Sequence, residues 1–336
     1  MQIEDFDYAL PPTAIAQMPA EPRDSSRLLV AGAPPVDTEF SELPAYLREG
    51  DLLVVNATRV RAARLRGIRP TGGAVELLLL DRSGDEWEAL GKPARKLRAG
   101  MVLSFGELSA EVRRVGTDGR VWVSLATESG AGVEETIDRV GSVPYPPYVA
   151  DGPVDPERYQ TVYAASTGSA AAPTAGLHFT RGMLESLAAR GIHTSEVFLE
   201  IGLDTFRPIV TDNLDEHRMH SERFHIPNGT AAAIEATRYR GGRVVAVGTT
   251  VVRALESNAV DGGVQPGSGS TDLFIRPGYR PQVVGALLTN FHMPRSSLVV
   301  MIAAFLPEWR ELYQHALDSG YRFLSFGDAM FIPEIP

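Results

Sequence analysis

The chain has 336 residues, of which 44% are hydrophobic and 22% charged, and its formal net charge is −10. This composition is typical of a globular protein, and no apolar run is long enough to cross a membrane. The absence of cysteine excludes disulfide bonds, thiolate metal sites and a cysteine nucleophile. Because the acidic amino terminus lacks a signal-peptide pattern, we predict a cytoplasmic protein.

The first half of the chain changes in character near residue 64. Before it, a continuous apolar run at 51–55 predicts a strand covered on both faces. After it come short strand patterns separated by glycine-containing turns, at 75–80, 87–90, 101–105, 110–112 and 121–125. Short strands at regular spacing predict a small antiparallel barrel.

Beyond a proline-rich segment at 143–148, helix and strand patterns alternate. Helices are predicted at 184–189 and 231–239, and strands at 196–201 and 243–247. Such alternation predicts a layered α/β domain. We therefore predict a discontinuous α/β domain of residues 1–63 and 151–336, with a β-barrel domain of residues 64–150 inserted into it. The glycine- and serine-rich stretch at 262–270 is predicted to be a mobile loop.

The segment Gly168–Thr180, GSAAAPTAGLHFT, is the most informative motif of the chain. Its small residues let the backbone approach a ligand closely, and glycine permits turns that other residues resist. His178 adds a group that exchanges a proton near neutral pH. Since histidine is also a common partly buried residue, His178 is either functional or a satisfied core side chain.

Three other motifs hold polar groups. Val247–Arg253 follows a strand pattern and begins a helical one, so its glycine turn exposes backbone N–H groups and hydroxyls, although it is neither a P-loop nor a dinucleotide fingerprint. Leu288–Pro294 contains Asn290, whose amide suits a base edge. Asp328 lies in an apolar neighbourhood and is either a proton-transfer group or the partner of an arginine.

His217, His220 and Glu222 have the spacing nearest to that of a metal site. Residues three apart can share a helix face, but no cysteine completes the set, and we predict no metal. The functional interpretation is a polar cluster for proton transfer or for substrate hydroxyls. The structural interpretation is a helix cap or a surface turn.

These motifs resemble the signature of the S-adenosylmethionine:tRNA ribosyltransferase-isomerase family of queuosine biosynthesis. In family order, the resemblance extends from DFDYALP at 5–11 through GDLLVVNATRV at 50–60 and YQTVYA at 159–164 to GDAM at 327–330. It implies the same α/β fold with an inserted barrel. It also implies transfer and isomerisation of the ribosyl moiety of S-adenosylmethionine onto the aminomethyl group of 7-aminomethyl-7-deazaguanine in tRNA. The products are epoxyqueuosine-tRNA, adenine and methionine.

The resemblance also implies S-adenosylmethionine as a substrate, tRNA as a partner, and neither a metal nor another cofactor. We predict that His178, His217, His220 and Glu222 act in proton transfer or ribose binding, and that Asp328 is a further catalytic residue. The residues that the resemblance implies for substrate binding are Asn56, Arg59, Thr174, Gly176, Glu200, Thr205, Thr249, Thr250, Arg253, Asn290 and His292. The sequence gives no oligomeric state.

One block departs from the family pattern. Glu200 stands where the family usually has histidine, and Asp204 stands where glycine is common. The added negative charge disfavours phosphate nearby, and it motivates a paralogous enzyme that uses S-adenosylmethionine on a small-molecule acceptor. A noncatalytic S-adenosylmethionine- or RNA-binding protein on the same scaffold is the second alternative. We expect Glu200→His with Asp204→Gly to weaken S-adenosylmethionine binding more than tRNA binding.

The net charge contrasts with the basic surface that nucleic-acid binding needs. Two basic clusters offer local positive charge. They are Arg59, Arg61, Arg64, Arg66 and Arg69, and Lys92, Arg95, Lys96 and Arg98. Each cluster is either a tRNA contact or an ordinary solvated face.

Overall fold

The structure, a computed structural model, describes residues 1–127, 130–150, 152–153, 155–201, 209–219 and 221–336. These form two compact units, one of Met1–Arg59 with Pro146–Pro336 and one of Val60–Tyr145. The first is a mixed α/β unit and the second contains a closed antiparallel barrel, so the predicted fold class is confirmed. Within the described residues, no helix is long and apolar enough to cross a membrane.

The elements are numbered in chain order. The strands are β1 (Arg27–Val30), β2 (Val36–Glu39), β3 (Leu52–Asn56), β4 (Thr58–Val60), β5 (Arg64–Ile68), β6 (Ala74–Ser83), β7 (Glu86–Lys92), β8 (Val102–Phe105), β9 (Leu108–Val115), β10 (Arg120–Thr127), β11 (Ser166–Ser169), β12 (His193–Leu199), β13 (Glu222–Ile226), β14 (Val244–Val247), β15 (Ala259–Val260), β16 (Gly263–Val264), β17 (Gly267–Thr271), β18 (Ala286–Asn290) and β19 (Ala329–Ile332).

The α-helices are α1 (Val133–Val140), α2 (Arg181–Ala189), α3 (Asn228–Tyr239), α4 (Thr249–Ser257), α5 (Ser297–Phe305) and α6 (Trp309–Asp318). Short 3-10 helices lie at Ile3–Phe6, Pro12–Ala14, Arg23–Ser25, Phe40–Ala45, Ala94–Lys96, Pro156–Tyr159 and Thr174–His178. The predicted helices at 184–189 and 231–239 correspond to parts of α2 and α3.

The α/β unit is built on a sheet with the strand order β17-β13-β12-β3-β14-β18-β19-β1-β2. Its central strands β3, β14 and β18 run parallel to one another, and every residue in them is buried. The apolar run at 51–55 therefore predicts β3 correctly, because a strand covered on both faces needs apolar residues on both. Two separate apolar clusters form around the sheet.

The carboxyl ends of β3, β14 and β18 meet at one edge of this sheet. After β14 the chain turns at Gly248, whose φ of +98° suits glycine, and enters α4 directly. After β18 it continues into Phe291 and His292. Ligands in parallel sheets bind at this edge, so the topology brings the motifs at 247–253 and 288–294 to the place where a site is expected.

The second unit contains a closed barrel with the strand order β10-β7-β6-β5-β8-β9. All five predicted strand patterns lie in it. Strand β5 and helix α1 of this unit have no counterpart among the predicted elements. Arginine masks β5, because Arg64 and Arg66 alternate with Leu65, which is fully buried in the barrel core. Gly67 completes the strand, and a Cβ there would lie 2.0 Å from a backbone oxygen of β8.

The predicted mobile loop at 262–270 is wrong over most of its length, because it contains strand β16 and most of strand β17. Gly267–Thr271 is strand β17, which pairs antiparallel with β13. Its small residues serve packing rather than flexibility, since a Cβ on Gly269 would meet the ring of Phe224 at 2.7 Å. A glycine-rich segment is either mobile or closely packed against a neighbouring backbone or side chain. Here the pairing of β17 with β13 shows that it is closely packed.

Candidate active site

A cavity that opens to solvent, with about 700 Å³ of space when the open part is included, is lined by residues that follow β14 and β18. Its wall includes Thr174, Thr249, Thr250, Asn290 and His292, which come from three separate motifs of the sequence. No Asp, Glu, Lys or Arg is found among the described residues that line it. Apolar walls with a few uncharged hydrogen-bonding groups are typical of a small-molecule site.

Asn290 is held in the wall by a chain of hydrogen bonds. Its Nδ2 lies 3.2 Å from Nε2 of His178 and 3.5 Å from the carbonyl oxygen of Asp328. A carbonyl only accepts, so this side of the amide is the NH₂ group, and Nε2 of His178 accepts from it. The hydroxyl of Thr174 donates to Oδ1 of Asn290 at 3.1 Å.

His178 itself lies behind the wall. Because Nε2 accepts from Asn290, the proton of the neutral ring is on Nδ1, which lies 2.7 Å from Oγ of Ser26. The ring stacks on Phe40, and burial lowers the pKa of His178 to about 4, so it is neutral at neutral pH. The satisfied-core interpretation describes these contacts, while the proton-transfer role of His178 stays a prediction.

His292 is the histidine in the wall of the cavity. Its Nε2 lies 2.8 Å from the hydroxyl of Thr289, and burial lowers its pKa to about 3. The hydroxyl of Tyr8 donates to its carbonyl oxygen, and its own N–H donates to the hydroxyl of Tyr313 at 3.2 Å. The amino-terminal motif at 5–11 therefore holds the backbone of the site.

Sequence reasoning missed several residues of the cavity. Tyr148 and Ser325 are hydrogen-bonded to each other at 2.7 Å and both line it. Ser296 also lines it and caps α5, a role that a serine before an apolar helix can signal in sequence. Ser26 contacts His178 from a distant part of the chain, which no local pattern predicts.

A family model described as "Queuosine biosynthesis protein" matches residues 3–332. The S-adenosylmethionine:tRNA ribosyltransferase-isomerase of Moorella thermoacetica is 50% identical over 342 residues, covering 99% of this chain and 100% of that protein. The protein of the same name from Gloeobacter violaceus is 51% identical over 336 residues, covering 98% and 95%. This chain belongs to the S-adenosylmethionine:tRNA ribosyltransferase-isomerase family.

A solved structure agrees with this assignment. The crystal structure of S-adenosylmethionine tRNA ribosyltransferase from Thermotoga maritima is 35% identical to this chain. The alignment covers 98% of this chain and 99% of that one, with a TM-score of 0.56. The inserted barrel and the α/β unit are thus both within the matched length.

Two of the predicted acids are buried in ion pairs rather than in the cavity wall. Asp328 accepts from the N–H of Arg27 at 3.1 Å and from the N–H and Nη2 of Arg322 at 2.8 and 2.9 Å. Glu222 pairs with Nη1 of Arg253 at 2.7 Å, and both side chains are 4% exposed. For Asp328 the arginine-partner alternative is therefore the one that the geometry favours.

Other implied residues support the backbone. Asn56 is fully buried and accepts from Thr58 and from the N–H of Leu199, which ties β3 to β12. Gly176 is buried where a Cβ would lie 1.9 Å from the hydroxyl of Tyr163. Arg59 and His217 are partly exposed. Arg59 pairs with Glu157, and His217 lies outside any helix and packs edge-on against Phe274. Thr205, Asp204 and His220 lie outside the described residues.

Glu200 lines a second cavity, of about 540 Å³, and not the first. It is half-exposed, and its Oε2 accepts from Nε of Arg223 at 3.0 Å. The charge of Glu200, one of the two acids that depart from the family pattern, is thus compensated locally. No group of three or more His, Asp or Glu side chains that could hold a metal ion occurs within the part of the chain that the structure describes.

Proposed function

We propose that this protein transfers and isomerises the ribosyl moiety of S-adenosylmethionine onto the aminomethyl group of 7-aminomethyl-7-deazaguanine in tRNA. The products are epoxyqueuosine-tRNA, adenine and methionine. One observation carries the proposal: three motifs of the full-length family match converge on the wall of one cavity. A cytoplasmic location and the use of S-adenosylmethionine as substrate, without a metal or redox cofactor, are part of this proposal.

The cavity suits the demands of the reaction. The sulfonium acidifies the adjacent 5′ carbon, so the rearrangement needs a positioned proton acceptor and protection from water. Asn290 and Thr174, held by His178 and Ser26, offer fixed hydrogen bonds to substrate polar groups. The apolar part of the wall, which includes Phe291 and Met293, limits water around reactive intermediates.

His292 is the proposed proton-handling group in the wall. It lines the cavity directly, whereas His178 contacts the cavity only through Asn290. A pKa of about 3 keeps its ring neutral, so it offers substrate a hydrogen bond without adding a positive charge next to a sulfonium.

The barrel unit supplies the proposed tRNA contact. Arg61, Arg64 and Arg66 are engaged with glutamates, at 3.7, 3.7 and 3.4 Å respectively. The second cluster is different, because its four side chains are exposed and none forms an ion pair within the described ranges. These residues are Lys92, Arg95, Lys96 and Arg98. Uncompensated cations bind phosphates better than paired ones, so we assign the contact to this cluster.

The small-molecule alternative was motivated by the acidic net charge and by the block that contains Glu200 and Asp204, of which Asp204 lies outside the described residues. Because Arg223 neutralises the charge of Glu200, that side chain gives no net repulsion of a phosphate backbone. The pairing of Glu200 therefore removes one of the observations that motivated a small-molecule acceptor, which supports tRNA as the carrier of the acceptor base.

The activity is tested by incubating the protein with S-adenosylmethionine and measuring adenine release. One arm contains tRNA with 7-aminomethyl-7-deazaguanine, a matched arm contains the same tRNA with guanine, and a third contains the free modified base. Release in the first arm alone supports the proposal. Release with the free base would instead support the small-molecule alternative, and binding without release would support a noncatalytic scaffold.

The tRNA contact is tested by Arg95→Gln with Lys96→Gln. We expect weaker tRNA binding and a salt dependence reduced by about 0.7 to 0.9 in log–log slope per lost phosphate contact. Arg66→Gln is the matched control, because it removes an exposed arginine of the same unit that is paired with Glu76. Equal losses in both variants would contradict the assignment.

A further inference from the structure

Two helices begin at the wall of the first cavity, and they differ in how their amino termini are satisfied. Helix α5 is capped, because Oγ of Ser296 accepts from the N–H of Val299 at 3.3 Å. Helix α4 has no side-chain cap, because Gly248 stands at its cap position. The N–H groups of Val251 and Val252 donate to the carbonyl oxygen of Gly248, at 3.2 and 3.3 Å, while those of Thr249 and Thr250 have no acceptor within the helix or from a cap.

The hydroxyls on this uncapped turn are also unpartnered. Thr249 and Thr250 are 6% and 7% exposed, line the cavity, and make no side-chain hydrogen bond to any described residue. Every other hydroxyl-bearing residue of the cavity wall has a hydrogen-bond partner. These are Tyr148, Thr174, Thr289, Ser296 and Ser325. The side chains of Thr249 and Thr250 are more than nine-tenths buried and their hydroxyls open into the cavity, so a ligand bound there can supply the acceptor that the protein does not.

Gly248 keeps the approach to this turn open. A Cβ built there would lie 3.8 Å from Oγ1 of Thr250 and 3.9 Å from Cβ of Ala175. Its φ of +98° is also a conformation that other residues resist. The space that a Cβ would occupy is thus open beside the hydroxyl of Thr250, and the backbone conformation keeps a glycine there.

From this geometry we propose that Thr249, Thr250 and the first amides of α4 bind the carboxylate of the methionine part of S-adenosylmethionine. The inference rests on the proposed function, because it assumes that S-adenosylmethionine occupies the cavity. The amino end of a helix carries partial positive charge and favours an anion. It disfavours the sulfonium and the ammonium of the same ligand, so it orients the molecule as well as holding it.

A carboxylate fits this position better than a neutral group does. The described wall holds no arginine or lysine, and of the two helix ends at the wall the one of α4 has donors that no side-chain cap occupies, so it is the end that suits a buried anion. A carboxylate can accept from two hydroxyls and two amides at once, and such charge-assisted hydrogen bonds are about twice as strong as neutral ones. A tRNA phosphate has similar oxygens, and the experiment below separates the two because it contains no tRNA.

The test measures binding of S-adenosylmethionine and of its decarboxylated analogue by calorimetry, without tRNA. The analogue keeps the adenosine, the sulfonium and the amine. We expect the wild-type protein to prefer S-adenosylmethionine by roughly 10- to 100-fold, the range for hydrogen bonds to a charged group. Equal affinity for the two ligands would overturn the proposal.

Variants then test whether Thr249 and Thr250 cause the preference for S-adenosylmethionine over its decarboxylated analogue. Thr249→Val and Thr250→Val keep the shape of each side chain but remove its hydroxyl, and we expect them to lower affinity for S-adenosylmethionine while leaving the analogue unaffected. Thr289→Val is the matched control, because its hydroxyl already contacts His292. It should leave the ratio of the two affinities unchanged.

The outcomes separate this inference from the function beneath it. A preference that survives in the double variant Thr249→Val/Thr250→Val would place the carboxylate elsewhere, although S-adenosylmethionine would still bind. Loss of affinity for both ligands in equal measure would also contradict the proposal. Failure of the wild type to bind either ligand, with no adenine release, would instead contradict the proposed function.

Discussion

The two cavities of the α/β unit are built with opposite electrostatics. The described wall of the first has no charged side chain and relies on buried neutral hydrogen bonds around Asn290. The second holds an exposed ion pair between Glu200 and Arg223. Water competes with the exposed pair and screens it, but it cannot replace the buried bonds. Glu200 is therefore weaker evidence about the reaction than the neutral network.

Strand β13 repeats this contrast within two consecutive residues. Arg223 lines the second cavity and pairs with Glu200, while Glu222 is buried against Arg253. Neighbouring residues of a strand point to opposite faces, so the charge of Arg223 is exposed and screened by water while that of Glu222, the preceding residue, is buried.

The largest effect is expected from Glu222→Gln. It leaves the guanidinium of Arg253 buried without its carboxylate, which typically costs about 3–5 kcal/mol of unfolding free energy. Urea denaturation measures the loss. The matched control Glu200→Gln breaks an exposed pair and should cost no more than about 1 kcal/mol. Similar costs for the two variants would refute the contrast between the pairs.

A paired substitution at His178 tests the neutral network next. His178→Gln places an amide oxygen near the position of Nε2 and keeps the acceptor for Asn290, whereas His178→Asn keeps only the bond to Ser26. We expect kcat/KM to fall about 100-fold in the Asn variant, because a small misplacement of a substrate-positioning group costs that much. In the Gln variant we expect kcat/KM to fall far less.

The same pair distinguishes three roles of His178. Proton transfer by the ring predicts that both variants are inactive, since neither amide titrates. A purely structural role predicts similar losses of stability with kcat/KM unchanged in the folded protein. Retention of kcat/KM in the Gln variant alone identifies a positioning role.

The neutral network also predicts how stability depends on pH. The folded-state pKa of His178, about 4, lies below the value of about 6.5 expected in the unfolded chain. Between these values the unfolded chain binds a proton that the folded protein does not, so stability is complete above pH 6.5 and falls as the pH drops toward 4. The slope is about 1.4 kcal/mol per pH unit for one histidine.

Urea denaturation at several pH values checks this slope, with His178→Gln as the comparison. In the variant, the unfolding free energy should change with pH less steeply than in the wild type, by about 1.4 kcal/mol per pH unit. His292, whose pKa is also lowered by burial, should still contribute in the variant. An identical slope in both proteins would mean that His178 is not held neutral by its surroundings.

The smallest effect is expected at the second cavity. Glu200→Gln should change the affinity for S-adenosylmethionine less than about fivefold, because an exposed, paired carboxylate contributes at most about 1 kcal/mol. The sequence alone leads to the opposite expectation, in which loss of this charge weakens binding. Calorimetry at matched ionic strength decides, and a tenfold loss would place Glu200 in contact with that ligand.

Most of the fold could be predicted from the sequence, because strand spacing and helix alternation are local signals. The barrel strands at 75–80 and 121–125 and the buried strand β3 follow from such patterns. Several short strands and helices, such as β1, β13, β19 and α1, have no predicted counterpart. Two others, β5 and β17, were obscured by their composition, because their arginines and glycines resemble a charged surface and a loop. Their partner strands supply the hydrogen bonds that make them strands, and those partners are distant in sequence.

For the candidate site, the sequence by itself determined which motifs hold the polar groups, including Thr174, Thr250 and Asn290. Tertiary structure alone decided which of these groups face the same cavity, which face away from it and which are already bonded. It enclosed His178 between Ser26 and Asn290, and it neutralised Glu200 with an arginine. The reason is physical: a residue type fixes what a side chain can donate or accept, while burial and partners fix whether that capacity is still available to a ligand.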